Sequence, residues 1–157
     1  MAREKPWTPE QFRHFAKTGE QPRGSATGRV TAHRIEFVVP GKPQPKQRAR
    51  KGRGGRWYTP EETVAFEKRV AEHFKMVAGK HEPWTGDVLV GVTAYGAHHA
   101  ADSSNIRKAV EDGLNKVAYR DDVQIVDGYD GKRPAGDEGP RTVIVVMKLE
   151  QGGRADG

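Results

Sequence analysis

The sequence predicts an α/β (α+β) fold, a single domain with a mixed four-stranded sheet and helices packed on one main face. Two observations carry this. Four short segments are rich in β-branched and aromatic residues and bounded by Gly, Pro or Asp: Arg34–Pro40, Asp87–Tyr95, Val123–Tyr129 and Thr142–Leu149. Ahead of and between the first three lie stretches with helix-start chemistry or apolar residues at helical spacing, giving the order α, β, α, β, α, β, β.

The first helix is expected from Thr8, with Pro9 at its first position, Gln11 completing a capping box and Trp7 and Phe12 as a hydrophobic staple; Gly19 follows its end near Lys17. Residues 18–32 read as a linker, so 1–33 form an appendage to a domain over 34–149. After the first strand comes GKPQPKQRARKGRGGRWYTP, whose three Gly and two Pro over 43–55 predict an irregular loop. Thr59-Pro60-Glu61-Glu62 reads as a capping box opening a helix with Phe66, Val70, Phe74 and Val77 on one face. The strand DVLVGVTAY leads through GAHHAAD to a helix from Ser103 to about Val117, with Ile106, Val110, Leu114 and Val117 on one stripe. The unbroken apolar centre of TVIVVMKL predicts a strand buried on both faces, and residues 150–157 read as a disordered tail.

Composition narrows the function. The 157 residues carry 27 Lys+Arg against 21 Asp+Glu, a net charge of +6, which is weak support for a polyanionic partner. The absence of cysteine removes disulfides, Cys-based zinc sites and thiol catalysis. No apolar run is long enough for a membrane span, and MAREKPWTPEQ lacks the apolar stretch of a secretory signal.

Three features carry chemistry, each with a plain structural reading beside the functional one. Lys42, Lys46, Arg48, Arg50, Lys51, Arg53 and Arg56 share a stretch with no acid, suited to phosphates but also to a solvated charge run. Trp57 and Tyr58 beyond it read as staple residues of the next helix or as stacking surfaces for an unpaired base. In Asp102-Ser103-Ser104-Asn105-Ile106-Arg107-Lys108, the residues Ser104, Asn105, Lys108 and Asp112 lie opposite the apolar stripe; Asp102 and Ser104 are explained equally by capping. Asp121-Asp122 is either a turn or a pair of ligands for Mg²⁺, an ion that takes one or two carboxylates and keeps waters. His98 and His99 point to opposite sides if extended and read as exposed loop residues.

The succession VPGKPQPKQRAR, DSSNIRKAVEDGLN and YRDDVQIVD resembles the RusA-type Holliday-junction resolvases, common in bacteriophages and prophages, over roughly residues 34–149. The resemblance implies a homodimeric, Mg²⁺-dependent endodeoxyribonuclease (Mn²⁺ substituting) that nicks four-way DNA junctions in the cytoplasm of a bacterial or phage-infected cell. It makes Asp102 and Asp122 metal-site acids, with Asp121 and Ser104 beside them, and Lys108 the catalytic lysine. The basic loop, Asn105 and Lys132 become DNA contacts. Where the family pattern has a second Asp this chain has Ser104, one negative charge fewer; Ser104 binds through water, Asp112 substitutes, or catalysis is impaired. A non-catalytic branched-DNA-binding module and a metal nuclease for flaps or forks are the competing readings.

Overall fold

The computed structural model describes residues 28–31 and 33–149. The expected N-terminal helix and the tail over 150–157 lie outside them. Among the described residues the strands are β1 (Gly28–Val30), β2 (Arg34–Pro40), β3 (Arg50–Lys51), β4 (Trp57–Tyr58), β5 (Val88–Tyr95), β6 (Ile125–Arg133) and β7 (Arg141–Lys148). The helices are α1 (Glu61–Ala78) and α2 (Ser103–Leu114). No described helix is long and apolar enough to cross a membrane.

The four expected strands form one sheet, joined by β1 at its edge, in the order β1-β2-β7-β5-β6. The sheet is mixed: β5 and β6 are parallel and every other neighbouring pair is antiparallel. α2 is the crossover that the parallel pair requires. β7 lies between β2 and β5, which accounts for its apolar run; Thr142, Ile144 and Val146 face the helices and Val145 is buried on the other side. The core lies between the sheet and the two helices. It joins Ile35, Phe37, Val39, Val90, Val92 and Ile144 to Phe66, Val70 and Phe74 of α1 and Ile106, Val110 and Leu114 of α2.

Several boundaries differ from the sequence expectation for identifiable reasons. β1 falls inside the stretch read as linker, because its backbone pairs with Ile35–Phe37 of β2. The basic loop is not wholly irregular: β3 and β4 pair as a short antiparallel ribbon, with the flanking glycines at its tip. α1 is not opened by a Thr59 capping box. Pro60 is its N-cap, the Pro60 carbonyl accepts from the Thr63 and Val64 N–H groups, and Glu61 and Glu62 face the positive end of the dipole. α2 stops at Leu114 because Lys116 takes a positive φ of 68°, turning the chain so that buried Tyr119 donates to the Glu111 carbonyl at 2.5 Å. β6 starts later and runs further than expected, since it matches the whole length of β5 from Val88↔Ile125 to Tyr95↔Arg133. Its polar residues are tolerated because it is an edge strand.

Two glycines set close approaches. A Cβ at Gly91 would lie 2.1 Å from the Tyr129 ring, so that ring lies directly over the backbone of β5. A Cβ at Gly113 would come within 2.8 Å of the Glu67 carbonyl oxygen and 3.0 Å of Val70 Cβ, so Gly113 sets the spacing of α1 and α2. Gly113→Ala is expected to lose up to about 2 kcal/mol, because overpacking costs roughly 1–3 kcal/mol against a helix-propensity gain of about 1 kcal/mol. A urea melt should show a lower midpoint with an unchanged slope. An equal or higher midpoint would mean that the helices have slack at this crossing.

Candidate active site on the exposed face of helix α2

Asp102 is the N-cap of α2. Its Oδ1 accepts from the Ser104 N–H at 2.8 Å and from the Ser104 hydroxyl at 2.6 Å. The Ser104 hydroxyl, then the Ser104 and Asn105 N–H groups and the charge of Lys132, hold the Asp102 carboxyl below the usual carboxylate range. The loop ahead of it is fixed by Lys132, whose ammonium donates to the carbonyls of His99 at 3.0 Å and Ala101 at 2.7 Å. Ser103 ties the same end of the helix to β6 through Asp130 at 2.6 Å.

Ser104, Asn105 and Lys108 are exposed on one face of α2, opposite buried Ile106 and Val110. Lys108 Nζ lies 3.6 Å from Asp112 and 3.7 Å from Asp122. The Asp121-Asp122 turn therefore folds back toward the middle of α2 rather than remaining beyond its C-terminus. Asp112 also pairs with Lys46 at 2.9 Å, and Lys46 with Glu67 of α1 at 2.6 Å. Burial opposes the charge of Lys46, but the bonds to Glu67 and Asp112 prevail and raise its pKa above the ordinary lysine value. Glu67, Lys46, Asp112, Lys108 and Asp122 thus form one alternating line of charge.

The turn carrying Asp121 and Asp122 is held by Gln124. Its side-chain oxygen accepts from the Arg120 and Asp121 N–H groups, and its amide donates to the carbonyls of Trp84 and Gly86, all at 2.8–2.9 Å. Hydrogen bonding with the Asp122 side chain, then the Val123 N–H, lowers the pKa of the exposed Asp121 carboxyl. Sequence reasoning gave Gln124 and Glu67 no role. For Gln124 the signal was present: a Gln three residues after an Asp that starts a turn is capping-box spacing. Glu67 carried no such signal, because its partner Lys46 is 21 residues away.

The basic segment divides in two. Lys46 is engaged as above, and its backbone N–H donates to the Asn105 carbonyl at 2.7 Å. The Gln47 N–H donates to the buried Thr63 hydroxyl at 3.2 Å. Beyond this root Arg48, Arg50, Lys51, Arg53, Arg56, Trp57 and Tyr58 are all exposed. Trp57 and Tyr58 belong to the ribbon and are not staple residues of α1. Exposed Lys42 lines a cleft of about 330 Å³ with Pro43, Gln44, Pro45, Gln47 and His98, just ahead of Asp102 in the chain. His98 and His99 do not diverge; their rings lie 4.3 Å apart.

The donors on this face, the carboxylates of Asp102 and Asp122 and the Ser104 hydroxyl, are all hard oxygens. Among the described residues no group of three or more His, Cys, Asp or Glu could hold a metal ion. Hard oxygens are the donor chemistry that Mg²⁺ takes, with water completing its shell, and are not the nitrogen and sulfur set that zinc prefers.

The site thus combines a basic arm with a helix face that carries carboxylates and a lysine. A family model described as endodeoxyribonuclease RusA matches residues 40–147, well over half of the chain. The chain belongs to this endodeoxyribonuclease family. Comparison with curated proteins gives no match.

Lys46→Met leaves Glu67 without its cation and Asp112 with Lys108 alone, and is expected to cost about 1–3 kcal/mol, the usual penalty for stranding such groups. Because the folded-state pKa of Lys46 is raised, its contribution is fully present below the ordinary lysine value and is lost as pH rises through the folded value. The difference between wild type and Lys46→Met in urea melts should accordingly be constant from pH 6 to 9 and shrink at strongly alkaline pH.

Proposed function

We propose that the protein is a Mg²⁺-dependent, homodimeric endodeoxyribonuclease that nicks four-way DNA junctions symmetrically. The observation that carries this reading is the run of Asp102, Ser104, Lys108 and Asp122 along one exposed face of α2, with Lys108 Nζ 3.7 Å from Asp122. We propose that the complete site lies within one subunit; the approach of the Asp122 turn to Lys108, on the helix that Asp102 caps, supports this reading.

In this reading Asp102 and Asp122 hold the cation, with Ser104 contributing directly or through water. The ion supplies polarisation of the scissile phosphate and a lowered pKa for bound water. Asp102 is an anion at neutral pH, as an ordinary carboxylate is, and the Ser104 donors favour that charge further. Lys108 places an ammonium where negative charge grows at the phosphate or on the leaving oxygen. Asp112 and Asp122 hold that ammonium over the helix face instead of leaving it to rotate freely. The exposed arginines and Lys51 of the arm neutralise flanking phosphates, and Lys42 does so at the cleft ahead of Asp102. Two matched nicks in a junction with two-fold symmetry require two sites related by the same symmetry. Edge strand β6, with Val126 and Tyr129 exposed along it and Val123 exposed in the turn before it, offers a surface on which two copies can meet.

One observation favours the non-catalytic alternative: Ser104 stands where the family pattern carries an acid. Ser104→Asp separates the two readings. An enzyme short of one ligand should nick as the wild type and gain several-fold in Ser104→Asp, whereas a protein disabled by the missing acid should be inactive as the wild type and gain nicking only in Ser104→Asp.

Wild type should nick a synthetic four-way junction in Mg²⁺ and not in EDTA. Asp102→Asn and Asp122→Asn should each abolish nicking and leave junction binding intact, whereas flap or fork cutting with intact junctions would redirect the reading to another branched substrate. Mixtures of the two variants should stay inactive, since each subunit then lacks one of its own acids; recovered activity would place the site across subunits. Replacing Arg48 and Arg50 by Gln should flatten the slope of log affinity against log salt by about 2, at about 0.9 per phosphate contact. An unchanged slope would remove both from the DNA interface.

A further inference from the structure

The ribbon of β3 and β4 is the most exposed regular element described, and it carries aromatic side chains where solvent would favour polar ones. Trp57 is 68% exposed and Tyr58 50%. The ladder pairs Lys51 with Trp57 and Arg50 with Tyr58, so each aromatic stands across from a cation. Tyr58 lies over Gly52, where a Cβ would meet its ring at 3.3 Å. The Gly52 N–H donates to the Arg56 carbonyl at 2.8 Å, and Gly54 and Gly55 take the positive φ values the tip needs. The ribbon is therefore a formed element that presents the Trp57 ring to solvent.

Charge limits what can cover that ring. From Arg48 to Tyr58 there are five basic residues and no acid. A second copy of this chain, at net +6, is a poor partner for such a surface. A polyanion that also offers flat π-faces is a good one, and nucleic acid combines the two. Within continuous duplex each base pair is covered by its neighbours above and below. A free π-face exists only where stacking is interrupted, as at a branch point.

Building on the proposed junction nuclease, we propose that the ribbon is a stacking wedge: Trp57 covers the exposed face of the base pair at the branch point and thereby gives the protein its preference for branched over continuous DNA. The root of the arm bonds to the Asn105 carbonyl, on the same helix face as Lys108. The wedge is therefore tethered to the helix that carries Lys108.

The test is binding in EDTA, where no cleavage occurs, to a synthetic four-way junction and to a linear duplex of the same arm sequence. Trp57→Ala should weaken junction binding roughly 5- to 100-fold, the range measured for loss of one base–aromatic stack. It should change duplex binding less than twofold, and Trp57→Phe should restore most of the loss. Wild-type fluorescence should be quenched by the junction more than by the duplex, and the difference should vanish in Trp57→Phe, which assigns it to Trp57 among the three tryptophans. An equal loss on both DNAs, or none, overturns the wedge, as does a change in oligomeric state without a change in DNA binding, which would make the ring a chain–chain contact. A wild type that binds junction and duplex alike refutes the junction reading itself. A wild type that prefers the junction, with Trp57→Ala retaining that preference, refutes the wedge alone.

Discussion

The ammonium of Lys46 is the constraint on which the rest of the molecule turns. One charge on an otherwise irregular loop sits between Glu67 on α1 and Asp112 on α2, at 2.6 and 2.9 Å. It ties together three segments that are distant in sequence. Without it the two carboxylates would repel each other where the helices approach most closely, beside Gly113. Because Asp112 is shared with Lys108, the pairing that docks the arm also helps aim the lysine on the open face of α2. Fold and candidate site are coupled through one residue.

This coupling explains why the positive charges of the loop are not equivalent. Lys46 is largely covered and neutralised by its partners, whereas Arg48, Arg50, Lys51, Arg53 and Arg56 project into solvent. The same division recurs at the other end of α2. Lys132, read from sequence as a DNA contact, spends its donors on the carbonyls that shape the loop before Asp102, and its charge still helps keep that carboxyl ionised. At Asp102 capping does not by itself exclude the proposed ligation, because both Ser104 bonds end on Oδ1.

Much of this was legible in the sequence, and what was not has identifiable physical causes. The main strands and both described helices follow from side-chain periodicity, which reports burial on one face. The burial of β7 on both faces was readable at its centre, where Ile144 and Val146 are buried under the helices and Val145 is buried on the opposite face. Boundaries failed where backbone pairing or a turn overruled composition: β1 exists because β2 offers an open edge, and β6 continues through polar residues because β5 does. The residues of the candidate site were legible as types at a spacing. Their mutual arrangement was not, because Lys46–Glu67 and Lys108–Asp122 are contacts between segments that periodicity treats separately. The Asp121-Asp122 turn comes back to Lys108 of α2, and its four Gln124 bonds give it a fixed shape.

The strand order also carries a kinetic consequence. The parallel pair β5 and β6, with α2 between them, joins residues fewer than 40 apart, whereas β2 and β7 align residues more than 100 apart. Closing the longer loop costs only about 1 kcal/mol more in chain entropy, but it cannot be rewarded until β7 has been synthesised. During translation the crossover unit can form first while β2 waits with its apolar face uncovered. A nascent chain arrested before Arg141 would leave both β2 and β5 without their shared neighbour, a state exposed to aggregation.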